Sequence, residues 1–148
     1  MESRRKEMKI NLMTDYAVRV IRSIYKSEKG IVTSNYIART QEISHGVLMK
    51  VLRKLRENKI IVSHQGRGEI VGGYSLGNLA RETTFLDIIE IMEGAIMLEN
   101  IGNRGKKKIG NIEKDEILKE YQRYSQVIRE EMKKHTLYEI LDREVEKQ

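Results

Sequence analysis

Ser44, His45, Gly46, Met49, Lys50 and Arg53 fall within one short stretch whose polar members can hydrogen-bond to an outside partner. The ammonium of Lys50 and the guanidinium of Arg53 are pure donors, matched to guanine O6 and N7 or to phosphate oxygens. Ser44 and His45 suit a phosphate or a base edge at a helix N-terminus, and Gly46 lets a ligand approach the backbone closely. Catalytic chemistry has no comparable cluster. His45, His64 and His135 are far apart in sequence and none has a partner at metal-ligand spacing. No nucleophile stands beside a base, and no glycine loop has the pattern that cradles a nucleotide phosphate. The expectation is a protein that is not an enzyme and holds no metal or other cofactor.

The elements around these residues decide what they can reach. Leu48, Val51, Leu52 and Leu55 make a clean apolar stripe. At about 100° per residue the opposite side of that helix holds Gly46, Lys50, Arg53 and Glu57, flanked by Met49 and Lys54. A basic helix alone is most simply a solvated face, so its neighbours carry the argument. Upstream, Ala17, Val20, Ile21 and Ile24 mark a first amphipathic helix that Gly30 is expected to close. Thr33 or Ser34 can cap a short second helix through Ile37 and Ala38, ending near Thr40 or Gln41. The turn Gln41 to Ile43 leads to Ser44, a further cap candidate, and into the basic helix, giving a helix-turn-helix. Downstream, the β-branched run Ile60 to Val62, the turn Gly66-Arg67-Gly68 and the returning segment Ile70 to Leu76 predict a β-hairpin. After a helix-turn-helix such a hairpin reads as a wing, with Arg67 between two glycines able to reach a narrow minor groove.

Further along, Thr84 and Asp87 have the capping-box spacing ahead of Ile88, Ile89 and Met92, with Gly94 as the stop. The stretch Glu99 to Asn111, with Lys106, Lys107 and Lys108, reads as a mobile basic loop. From about Glu113 a long helix carries Ile117, Tyr121, Tyr124, Ile128 and Met132 at three- and four-residue spacing, and Thr136 with Glu139 starts a short terminal helix. One chain offers the long stripe little to pack against, so it is assigned to a homodimer interface. The expected architecture is mainly α with a small β-hairpin. It comprises a winged helix-turn-helix domain over 1–94, a mobile basic loop over 95–112, and a dimerisation helix with a short terminal helix over 113–148.

Composition agrees with this organisation. The chain has 148 residues, of which 39% are hydrophobic and 34% charged, enough for one modest core under a heavily charged surface. Cysteine is absent, which removes disulfides, thiolate nucleophiles and cysteine-held iron-sulphur clusters. No apolar run approaches the roughly 20 residues of a membrane span, and no signal-peptide pattern follows the basic start, so a cytoplasmic location is expected. Residues 1–78 hold 15 Lys and Arg against 7 Asp and Glu, whereas residues 79–148 hold 13 against 15. The excess positive charge of the molecule, +6 overall, therefore belongs to the first half and predicts a polyanionic partner there.

Several short segments together resemble one family of winged-helix regulators. This family includes the iron-sulphur assembly regulator IscR, the nitric-oxide sensor NsrR and the cysteine-metabolism repressor CymR. The segments are Met13-Thr14-Asp15-Tyr16-Ala17-Val18-Arg19, Ile43-Ser44 leading to Leu52-Arg53-Lys54-Leu55-Arg56, and Gly72-Gly73-Tyr74-Ser75-Leu76. Asp87-Ile88-Ile89 with Glu93-Gly94, and Thr136-Leu137 with Ile140-Leu141, extend the likeness over most of the chain. The resemblance implies a homodimeric transcription regulator, usually a repressor, with Ser44 through Lys50 on bases and phosphates and Arg67 in the wing contact. The loop that holds three cysteines in cluster-binding relatives corresponds to Glu99 to Asn111 and has none. The wing is a few residues longer than the family pattern.

The resulting expectation is a sequence-specific regulator, acting as a repressor without an iron-sulphur cluster. Its partners are double-stranded DNA at an inverted repeat, a second copy of the chain, and a small-molecule or protein effector, with no membrane. Ser44, His45, Gly46, Met49, Lys50 and Arg53 form the recognition surface, Gly66, Arg67 and Gly68 the wing contact, and Thr14, Ser34 and Lys54 the phosphate contacts. The competing expectation is a protein-interaction adaptor whose basic half docks on an acidic partner. RNA ranks lower, because A-form duplexes hide their major groove from a helix and stacking aromatics are scarce here.

Overall fold

The computed structural model describes residues 12–69, 72–94 and 115–147. The basic arm at 1–7, wing positions 70 and 71, and the basic loop with Lys106 to Lys108 lie outside the described residues. Chain contacts divide the molecule after Gly77 into two units. The helix at 85–93, grouped by its sequence with the winged part, falls on the C-terminal side of that division.

The first unit runs α1 (Leu12–Tyr25), α2 (Ser34–Gln41), α3 (His45–Glu57), β1 (Ile61–His64) and β2 (Gly73–Leu76). Its core is the sum of the apolar stripes: Ala17, Val20, Ile21 and Ile24 of α1 meet Ile37, Ile43 and the α3 row Leu48, Val51, Leu52 and Leu55, all buried. Each large aliphatic side chain taken out of water contributes about 1.5–3 kcal/mol, so these rows hold α3 in place against the entropy of ordering it. Helix α1 ends at Tyr25, well before Gly30, which instead turns the following loop with φ +68°. Thr33 is the residue that caps α2, its hydroxyl accepting from the Tyr36 amide at 3.2 Å, while Ser34 is the first helical residue. At the other end Glu42 takes a left-handed φ of 54°, and the Ile43 amide returns to the Ala38 carbonyl at 3.0 Å, which turns the chain sharply into α3.

The two strands pair antiparallel, with Ile61 opposite Leu76, Val62 opposite Ser75, Ser63 opposite Tyr74 and His64 opposite Gly73. A further pairing comes from outside the hairpin. Val32, in the loop between α1 and α2, exchanges two backbone hydrogen bonds with Tyr74, at 2.9 and 2.8 Å. The wing is thereby anchored to the helix-turn-helix through its returning strand.

The second unit contains a 3-10 turn (Ala80–Glu82), α4 (Phe85–Glu93), α5 (Glu116–Lys133) and α6 (Leu137–Glu146). The capping box expected at α4 is complete: Thr84 Oγ accepts from the Asp87 amide and Asp87 Oδ2 accepts from the Thr84 amide. At α6 half of the corresponding box forms. Thr136 accepts from the Glu139 amide, but the Glu139 carboxylate goes to His135 Nδ1 at 3.1 Å. Leu137 donates its amide to the Thr83 carbonyl at 2.9 Å, and Leu137 and Leu141 are buried. Helix α5 packs against α4, and an Arg129–Glu90 ion pair joins the two. Burial raises the pKa of the Tyr138 phenol above its ordinary value, and the Arg81 guanidinium 5.8 Å from its ring partly opposes that rise.

Candidate nucleic-acid interface

The α3 stripe faces inward, so the rest of its circumference is set by geometry. Leu48, Val51, Leu52 and Leu55 are fully buried, and Ser44, His45, Gly46, Met49, Lys50 and Arg53 are all exposed. The first turn of α3 is thus the bare end of a helix held from behind. Ser44 takes the N-cap position with extended backbone, yet its hydroxyl makes no capping hydrogen bond. The orphan amides of that turn and the Ser44 hydroxyl remain available to an outside acceptor, where the helix dipole also favours negative charge. A Cβ built on Gly46 meets nothing within 4 Å. The protein has no steric need for glycine there, and the absent side chain leaves room for something beyond it.

Arg53 approaches Glu57 at 3.9 Å with both side chains more than half exposed, a contact too long and too wet to fix the guanidinium. Lys50 has no ion-pair partner among the described residues. The exposed cations of α3 continue to Arg56, and between that helix and β2 lies a cleft of about 270 Å³ lined by Met49, Lys50, Arg53, Arg56 and Tyr74. Neither Arg56 nor Tyr74 stands out in the sequence as a contact residue. Arg56 lies toward the end of a basic helix, and Tyr74 reads as an ordinary strand residue until the hairpin folds beside α3.

The remaining expected positions divide. Gly66, Arg67 and Gly68 are exposed in the wing, and Gly68 adopts a left-handed φ of 59° that turns the chain there. Ser34 is half-buried at the start of α2, and Lys54 is half-buried with an interaction of its own. Thr14 is a correction. It is only 2% exposed, packed in the inward row of α1, and does not offer its hydroxyl to a phosphate. Its helical phase, one turn before Ala17, accounts for this.

On α5 the expected stripe splits. Tyr121, Ile128 and Met132 are half-buried, whereas Ile117 is 65% exposed and Tyr124 44%. Val127, which the spacing rule passes over, is 57% exposed beside them. Ser125 is the one fully buried residue that α5 contributes. The Arg123 guanidinium lies 4.8 Å from the Tyr124 ring, and its hydrogen bond to Glu120 holds that carboxyl below the usual range.

A helix-turn-helix with its second helix bared and a hairpin anchored beside it defines the winged helix-turn-helix class. Over residues 10–143 the chain matches the Rrf2 family, described as iron-dependent transcriptional regulators, and it belongs to that family. The resemblance carried by the sequence motifs is thus a family membership.

Among solved structures, CymR of B. subtilis, the global cysteine regulator, shares the fold with a TM-score of 0.66 and 24% identity, over 92% of this chain and 98% of that one. IscR of T. potens superposes with a TM-score of 0.68 and 24% identity, over 95% and 91%. The oxidized form of Staphylococcus aureus CymR gives 0.61 and 25% identity, over 88% and 93%. Relatives in two Mycobacterium tuberculosis strains, both named for an HTH-type transcriptional regulator, are 28% identical over 90 residues. That match covers 60% of this chain and spans about half the length of those relatives, 54%.

The family's description names iron. The chain contains no cysteine, and among the described residues no three His, Asp or Glu side chains converge as metal ligands.

Proposed function

We propose that this protein is a sequence-specific, double-stranded DNA-binding transcription regulator that acts as a homodimeric repressor on an inverted-repeat operator. The observation that carries this reading is the two-sidedness of α3: an apolar row fixes it to the domain while Ser44, His45, Gly46, Met49, Lys50 and Arg53 stand clear of the protein. Lys50 and Arg53 supply major-groove donors, Ser44 and the first amides of α3 take a phosphate, and Arg67 at the wing reaches the minor groove. The dimer forms along α5, whose exposed Ile117, Tyr124 and Val127 lack a covering element among the described residues. Regulation proceeds without an iron-sulphur cluster, since the thiolates are missing from the sequence, and a small molecule or partner protein sets the DNA-bound fraction.

Selection of bound fragments from genomic DNA, followed by fluorescence anisotropy over a salt series, tests the reading. Affinity should be sequence-dependent and should fall by orders of magnitude between roughly 50 and 200 mM salt. The Lys50→Ala, Arg53→Ala double variant should lose about 1–3 kcal/mol per missing base contact while remaining dimeric. Binding with no sequence preference and no salt slope, or unchanged binding by the double variant, would favour an adaptor for an acidic protein instead.

A further inference from the structure

We propose that the cleft between α3 and β2 is a preformed seat for one DNA backbone phosphate, held by Arg56 and Tyr74. This rests on the DNA-binding reading above and assigns two residues that the sequence does not single out. The cleft brings three cations, Lys50, Arg53 and Arg56, together with Tyr74, and no carboxylate residue lines it. Spaced at i, i+3 and i+6, these cations repel one another, a small but persistent cost to α3 that an oxyanion would relieve. Among the described residues Arg56 has no ion-pair partner, so its guanidinium is not already committed within the fold.

Lys50 and Arg53 border both the seat and the base-reading surface, and position along the helix sets Arg56 apart from them. Arg56 lies ten residues beyond Gly46, a rise of about 15 Å. A recognition helix meets base edges with its N-terminal residues and the DNA backbone toward its C-terminal end, and Arg56 stands one residue before the end of α3. Tyr74 is held there by rigid structure, its backbone bonded on one side to Val32 and paired on the other with Ser63. A phosphate in this seat touches the recognition helix and the wing strand at once. It therefore fixes the register of both on the duplex, which is the role of backbone contacts.

The test compares the full chain with Arg56→Ala and Tyr74→Phe, using an operator duplex and a random-sequence duplex over a salt series. Thermal melts confirm that both variants are folded, as expected for an exposed arginine and a hydroxyl deletion. Arg56→Ala should weaken binding to both duplexes by the same factor and reduce the salt slope by about 0.9 per occupied seat. Tyr74→Phe should weaken both duplexes a few-fold with the slope unchanged, because no charge is lost. A selective loss on the operator alone would make Arg56 a base reader and overturn the seat. Wild-type affinity in both variants would overturn it too, while leaving the DNA-binding reading intact. If millimolar inorganic phosphate shifts the amide resonances of α3 in the wild type and not in Arg56→Ala, while DNA affinity is equal in both, the cleft takes a free anion and the proposal fails. If the wild type binds no duplex at all, the functional reading falls and the seat falls with it.

Discussion

A Cβ on Gly73 would stand 2.7 Å from the Val32 carbonyl oxygen, a separation that real side chains do not adopt. The neighbouring pair, Val32 with Tyr74, exchanges both backbone hydrogen bonds, so this close approach is what ties the wing to the helix-turn-helix. Gly73 also has φ +153°, outside the range comfortable for L side chains. Gly73→Ala should therefore cost about 2 kcal/mol, as strain or as loss of the Val32 pairing. Urea denaturation of the two proteins measures it, and a midpoint within error of wild type would show that the loop carrying Val32 can give way freely.

The opposite behaviour is expected at Gly46. An alanine there meets nothing in the protein and removes the entropic penalty of glycine in a helix. Stability should rise by up to about 1 kcal/mol. DNA affinity should fall at the same time, because the methyl group projects where the backbone is read as approaching the duplex. A stabilised variant with undiminished affinity would place the DNA away from the first turn of α3.

Glu42 provides a control within the same motif. Its φ of 54° is a conformation glycine adopts without penalty and glutamate does not. Glu42→Gly should gain about 0.5–1 kcal/mol, set against glycine's greater freedom in the unfolded chain. DNA affinity should stay constant because Glu42 lies in the turn, outside the proposed contact surface. Differential scanning calorimetry and anisotropy on the same preparation separate the two effects.

What the sequence reveals about this fold follows from the range of each signal. Helical stripes are local, so Leu48, Val51, Leu52 and Leu55 announce their helix and its buried face, and Thr84 with Asp87 announces a capping box that forms in full. The Val32–Tyr74 bridge joins residues 42 positions apart and carries no pattern in either segment. The Thr14 hydroxyl, at an inward helical phase, looks in the sequence like that of any other threonine, and only packing shows that it is covered. The cleft of Arg56 and Tyr74 escaped for the related reason that it exists only once β2 lies beside α3. Periodicity reports which face of an element is apolar; it does not report which part of that face another element will cover.

Helix α5 makes that limit testable. Tyr121, Ile128 and Met132 are already partly covered within the chain, so the free apolar area is concentrated on Ile117, Tyr124 and Val127. Charge placed among these three should disrupt self-association, whereas the same change at a residue turned toward α4 would damage the monomer first. Tyr124→Glu with Val127→Glu should raise the dimer dissociation constant by at least a hundredfold, since central aromatic and aliphatic contacts contribute about 2 kcal/mol or more to such an interface. Sedimentation velocity over a concentration series reads the association, and circular dichroism confirms the helices. Operator affinity should drop steeply with the dimer, because two half-sites then bind independently, while affinity for a single half-site should hold. If the double variant sediments as the wild type does, the dimer uses another surface and α5 must be covered by something else.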